Sequence, residues 1–134
     1  MNRSAKGGCL TLVAICAGFL ACQAAEHTKD QLDAVKNAVR QKKAVLVDVR
    51  EKAEWNAGHI EGAVSLPLSE LKAGIDPREL ARILPKDKIV YAHCASGRRC
   101  LLAADILKEQ GYDVRAIKPG YKALVPKGFV KAKE

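Results

Sequence analysis

Within eight residues, His93-Cys94-Ala95-Ser96-Gly97-Arg98-Arg99-Cys100, the chain gathers two thiols, a glycine and two guanidinium groups. The apolar, β-branched run Ile89–His93 precedes this segment and an apolar helical pattern follows it. Cys94 therefore stands between a buried strand and the start of a helix. Unpaired backbone N–H groups and the positive end of the helix dipole favour an anion there. A thiolate is such an anion, so the Cys94 thiol is expected below the ordinary value of about 8.5. Arg98 and Arg99 add positive charge beside it. Gly97 lets the chain turn tightly, so that several N–H groups can aim at one centre. The pattern reads as a nucleophilic cysteine in an anion cradle, against the alternative of a cysteine that only packs a strand end.

The elements that must position this loop follow from local patterns. Thr28 and Gln31 have capping-box spacing, and Leu32, Val35 and Val39 recur at helical intervals, predicting a helix over 29–41. Residues 44–49 (AVLVDV) predict a buried strand. Residues 51–58 predict a helical turn closed by Gly58 and packed through Trp55, and 63–66 a short strand stopped by Pro67. Asp76-Pro77 reads as an N-cap followed by proline at the first helical position. Leu80, Ile83 and Leu84 give that helix its apolar side. Residues 89–93 (IVYAH) predict the second strong strand, residues 98–110 a helix stopped by Gly111, and 114–117 a third strand. The lysine-rich tail after Pro126 is expected to fray. Strands alternating with helices imply an α/β fold, a parallel β-sheet flanked by α-helices on both faces.

The 134 residues allow one domain. Arg3 and Lys6, an uncharged apolar run of 13 residues from Cys9 to Ala21, and the small residues that follow have the order of a secretory signal. That run is shorter than the roughly 20 residues of a bilayer span. The expected division is a signal over 1–25, cleaved after Ala24 or Ala25, and a folded domain over 26–134, periplasmic or secreted. Phe19-Leu20-Ala21-Cys22 loosely resembles a bacterial lipoprotein box, so a lipoprotein signal over 1–21, with a membrane anchor on Cys22, is the alternative. Without residues 1–24 the basic residues number 21 against 15 acidic ones, a net +6. Of five cysteines only Cys94 and Cys100 stay, which is no disulfide framework. Scattered basic residues with few aromatics favour small anionic partners and give no support for nucleic acid.

Cys94-x-x-Gly97-x-Arg99 resembles the active-site loop of rhodanese-like sulfurtransferases. Asp48-Val49-Arg50, Glu54 and Gly58-His59-Ile60-Glu61-Gly62-Ala63 resemble an upstream signature of the same family. Gly111-Tyr112 and Gly120-Tyr121 resemble later positions more weakly. Together they cover roughly residues 44–128. Two motifs in the right order are more specific than either alone. The resemblance implies a double displacement with no cofactor. Cys94 takes sulfane sulfur from a small anionic donor such as thiosulfate, holds it as a persulfide, and passes it to a thiol or cyanide. Ala95, Ser96, Gly97, Arg98 and Arg99 form the loop that stabilises the persulfide, with Arg99 holding loop or anion. Asp48, Arg50 and His59 are read as structural support.

Three departures shape the alternatives. His93 precedes Cys94, and His-Cys opens the loop of cysteine phosphatases and the related arsenate reductases. Those enzymes place five residues between Cys and Arg, whereas four separate Cys94 from Arg99. The smaller cradle suits a terminal sulfur better than a phosphate. Cys100 replaces a small hydroxyl residue; it is either a resolving thiol or a packing residue sharing a helix face with Ala103 and Leu107. Pro119 and Leu124 stand where the resemblance suggests glycine and tryptophan. Rhodanese-like modules also serve as non-catalytic binding domains, usually after losing the cysteine that this chain keeps. No metal is implied, because the histidines lack zinc spacing.

Overall fold

The computed structural model describes residues 23–134. The expected signal lies outside the described residues, with Cys9, Cys16 and Cys22, except for Gln23 to Ala25. In chain order the elements are α1 (Leu32–Arg40), β1 (Ala44–Asp48), α2 (Lys52–Asn56), β2 (Val64–Ser65), α3 (Leu68–Ala73), α4 (Pro77–Ile83), β3 (Ile89–His93), α5 (Arg99–Glu109), β4 (Val114–Ala116) and α6 (Tyr121–Leu124). A 3-10 turn, Val125–Lys127, follows α6.

The four strands are parallel, in the order β2-β1-β3-β4. Successive side chains of a strand face opposite ways, and the burial divides accordingly. Val47, Val90, Ala92 and Val114 pack with Leu68 and Leu71 of α3, Leu80 of α4 and Cys100, Ala103 and Leu107 of α5. Ala44, Leu46 and Tyr91 pack on the other face with Val35 of α1, Leu124 of α6 and Phe129. Helices cover both faces, as the alternating pattern predicts.

After β1 the chain adds β2 on one side and then crosses to place β3 on the other. The strand order therefore reverses between β1 and β3, and a crevice opens beyond their carboxyl ends. Asp48 and His93 are paired in register as the last residues of those two strands. Cys94 is the next residue, so the topology itself delivers the thiol to the crevice.

Several elements differ from the sequence expectation. Helix α1 starts at Leu32, with Gln31 as N-cap and no side-chain cap. Thr28 is instead tied to the sheet edge through Thr28 N–H···O Ala116 (2.7 Å), and its hydroxyl accepts from the Asp30 N–H (3.2 Å). The N-cap at Asp76 is as expected: its carboxylate accepts from the Arg78 N–H at 2.7 Å, with Pro77 at the first helical position. Helices α3 and α6 lay outside the expectation. The tail does not fray: Glu61 N–H donates to Val130 (2.8 Å), Ala132 N–H donates to His59 (2.9 Å), and Phe129 is buried. An aromatic ring that reaches the core outweighs the lysines around it, whose charges stay in water.

Candidate active site

Cys94 lies at the end of β3 and its side chain is wholly buried. Gly97 N–H donates to Cys94 Sγ at 3.1 Å, and Gly97 adopts a φ of 83°, in the left-handed region. A β-carbon there would lie 2.6 Å from the Lys118 carbonyl oxygen, so only glycine fits. Burial alone would raise the Cys94 pKa; instead it is held well below the ordinary thiol value. The largest cause is the Cys100 thiol hydrogen-bonding to it, and the backbone N–H groups of Cys100, Ser96 and Gly97 add to this. Cys100 is pushed correspondingly upward and stays a protonated donor. Its thiol also lies 3.2 Å from the Gly97 carbonyl and 3.5 Å from that of Ile117.

The positive charge of Arg99 acts on Cys94, whose thiolate is among the causes that raise the arginine pKa, but it is shared with a closer carboxylate. Arg99 forms a two-pronged pair with Glu54 at 2.6 and 2.8 Å. Glu54 is lowered to about 2, chiefly by the Arg99 hydrogen bond. The same carboxylate accepts the Glu51 N–H at 3.0 Å, closing a capping box on α2. Arg99 thus staples the first residue of α5 to α2 and holds the loop rather than an anion. Arg98 is exposed. Ala95 and Ser96 are exposed on the loop's outer side, and Cys100 is buried on the α5 face with Ala103 and Leu107.

Asp48 and Arg50, both buried, form an ion pair at the end of β1. Arg50 Nη2 donates to Asp48 Oδ2 and to the Gly58 carbonyl, both at 2.7 Å, and the guanidinium lies 4.1 Å from the Tyr121 ring centroid. A buried charge is tolerated when fully paired, and Arg50 meets that condition. His59 stacks on Trp55 at 3.7 Å between centroids, and its Nδ1 lies 3.2 Å from the Trp55 carbonyl. This is a scaffold contact. His93 is wholly buried, with neither ring nitrogen hydrogen-bonded among the described residues; its Nε2 lies 3.8 Å from Asp48 Oδ2. Burial pushes its pKa down, favouring neutral imidazole.

Four positions were not read as site residues from sequence. Glu54 was noted only as a motif residue, not as the partner of Arg99. Gly120 lies so close to the loop that a β-carbon would fall 1.8 Å from the Ala95 carbonyl oxygen. Tyr121 N–H donates to the Cys94 carbonyl at 2.8 Å, docking α6 on the loop. Lys122 joins Arg50, Glu54, Gly58, Ala95 and Tyr121 around a cavity of about 480 Å³ beside the loop. Gly120-Tyr121 was visible as a weak motif; Lys122 carried no local signal.

The Rhodanese-like domain pattern matches residues 31–127. The chain belongs to the rhodanese-like domain family. It is 37% identical over 94 residues to the Bacillus subtilis protein YqhL, covering 69% of this chain and 68% of that one. It is 33% identical over 84 residues to a putative mitochondrial thiosulfate sulfurtransferase of Schizosaccharomyces pombe, 58% of this chain and 59% of that one. Against the Bacillus subtilis putative sulfur carrier protein YrkF it spans only 47% of the relative's length. The human single-domain sulfurtransferase TSTD1 superposes with a TM-score of 0.62 at 27% identity, covering 72% of this chain and 93% of that one.

Proposed function

We propose that this rhodanese-like chain is a sulfurtransferase that carries sulfane sulfur on Cys94. The observation that carries the reading is the placement of the Cys94 sulfur, at the strand end with the Gly97 N–H 3.1 Å from it and a pKa held below the ordinary thiol value. The Cys94 thiolate attacks the outer sulfur of thiosulfate or a similar donor. The donor's S–S bond breaks and sulfite leaves with the bonding pair, giving Cys94–S–S⁻. An acceptor thiolate or cyanide then takes the terminal sulfur and returns the Cys94 thiolate. Donors that stabilise charge by fixed backbone N–H groups cost no reorganisation as the charge moves outward by one sulfur. Cys94 is buried while Ala95 and Ser96 are exposed, so the donor gains access by an outward shift of that short segment. Lys122 at the cavity and exposed Arg98 supply long-range attraction for an anionic donor.

Four residues between Cys94 and Arg99, and the commitment of Arg99 to Glu54, both weigh against phosphate as the substrate. Cys100 has hydrogen-bond partners for its thiol within the fold, which supports a donor role over a resolving one. The test is thiocyanate formation from thiosulfate and cyanide, alongside hydrolysis of a phosphate monoester and reduction of arsenate. Turnover only in the first, abolished by Cys94→Ser and kept in Cys100→Ser, is the expected result. Phosphate release or arsenate reduction that depends on Cys94 would reassign the site. The order of charged, apolar and small residues over 1–25 supports export, and the mass of the processed chain separates cleavage near Ala24 from lipid on Cys22.

A further inference from the structure

The segment before α1 is tied to the sheet edge and to the loop at several points, although it precedes the family match at residue 31. Ala25 N–H donates to Asp105 Oδ1 of α5 at 2.6 Å. His27 forms a parallel bridge with Ala116 at the end of β4. Asp30 receives the Tyr91 hydroxyl at 2.7 Å and Arg115 Nη1 at 2.9 Å. Between these ties, His27 Nε2 lies 2.6 Å from the Gly97 carbonyl oxygen. A carbonyl only accepts, so Nε2 carries the proton.

Gly97 is thereby held at both polar groups: its N–H points at the Cys94 sulfur and its C=O at His27. The Cys100 thiol lies 3.2 Å from that same carbonyl. It has one proton and three nearby acceptors, the Gly97 oxygen, the Ile117 oxygen at 3.5 Å and the Cys94 sulfur. The carbonyl has two lone pairs, so His27 and the Cys100 thiol share it, and the His27 bond leaves the thiol a weaker hold on that oxygen. We propose that His27 is a positioning residue for Cys94: its Nε2–H fixes the Gly97 carbonyl and so holds the Gly97 N–H on the Cys94 sulfur. The role lies outside the Cys94–Arg99 loop and enters through a strap that crosses the edge strand. It deepens the sulfur-transfer reading and rests on that reading for its rate measurement only.

The test uses the full chain with His27→Ala, His27→Phe and His27→Gln. The pH midpoint of Cys94 alkylation by iodoacetamide, localised by peptide mass, reads the charge on the sulfur without any sulfur transfer. Thiosulfate turnover reads the rate. The expected result is a midpoint about one pH unit higher and turnover about tenfold lower in the Ala and Phe variants, the size of one lost hydrogen bond in a network feeding a charged group. His27→Gln, whose amide reaches the same carbonyl, is expected within about twofold of the parent in turnover. An unchanged midpoint in folded His27→Ala and His27→Phe would overturn the proposal. So would His27→Gln falling as far as His27→Phe, since ring packing alone would then explain the loss. If the parent chain turns over no thiosulfate, the sulfur-transfer reading fails while the alkylation midpoints still decide the role of His27.

Discussion

The two ring nitrogens of His93, the residue before Cys94, are buried without a hydrogen-bond partner among the described residues. Each such group costs on the order of 1–3 kcal/mol relative to a satisfied one. An apolar side chain of similar volume avoids that cost, so His93→Leu is expected to leave stability at pH 7 equal or higher in urea unfolding. The same burial sets a pH dependence. The folded-state pKa of His93 is depressed, so below about 6.5 the unfolded chain takes up a proton that the folded chain refuses. Stability therefore falls as pH drops below that value. Cys94, also depressed, acts in the same direction, so the comparison isolates His93: the parent should lose up to about 1.4 kcal/mol per pH unit more than His93→Leu there. Equal slopes with a loss of about 2 kcal/mol at pH 7 would contradict this account. At Cys94 the causes that lower the pKa are hydrogen bonds from the Cys100 thiol and from backbone N–H groups, while Arg99 is paired with Glu54.

The loop between β3 and α5 is held from three directions by elements distant in sequence: the segment before α1 through His27, α2 and α6. Glu54 of α2 reaches Arg99 across 45 positions, and α6 approaches so closely that Gly120 admits no β-carbon against the Ala95 carbonyl. Gly120 has a φ of −83°, which any residue adopts. Gly120→Ala therefore tests the close approach alone. It should displace the Ala95–Gly97 segment, cut turnover at least tenfold, and cost about 1–3 kcal/mol in urea unfolding; parent values in both would show that the loop does not depend on α6. The legibility of these elements follows their physics. Strands β1 and β3 are buried on both faces, so their apolar runs are unmistakable locally, and the thiol, glycine and arginine of the loop sit within one short segment. Helices α3 and α6 bury one or two side chains each, too few for a period. Thr28 misled because its N–H is taken by Ala116, 88 positions away, a contact that no local spacing encodes.

For the molecule as a whole, the core is two apolar layers around one parallel sheet, and the tail belongs to it. Phe129 joins α1 and β1 residues in the second layer. Phe129→Ala should cost about 3–5 kcal/mol, a large part of the 5–15 kcal/mol typical of such a domain. A loss below about 1 kcal/mol in urea unfolding would restore the fraying tail. The α/β class and the site at the strand ends were readable because alternation and motif order act over the whole chain. The roles of His27, Glu54 and Gly120 were not, because they exist only once the sheet edge, α2 and α6 converge on one loop. The central claim is that this convergence makes Cys94 a carrier of sulfur. The most direct measurement is the intact mass of the protein after thiosulfate, for the parent and Cys94→Ser. The account predicts a gain of one sulfur, about 32 mass units, in the parent alone and its removal by cyanide. No gain in the parent, or the same gain in Cys94→Ser, would contradict it.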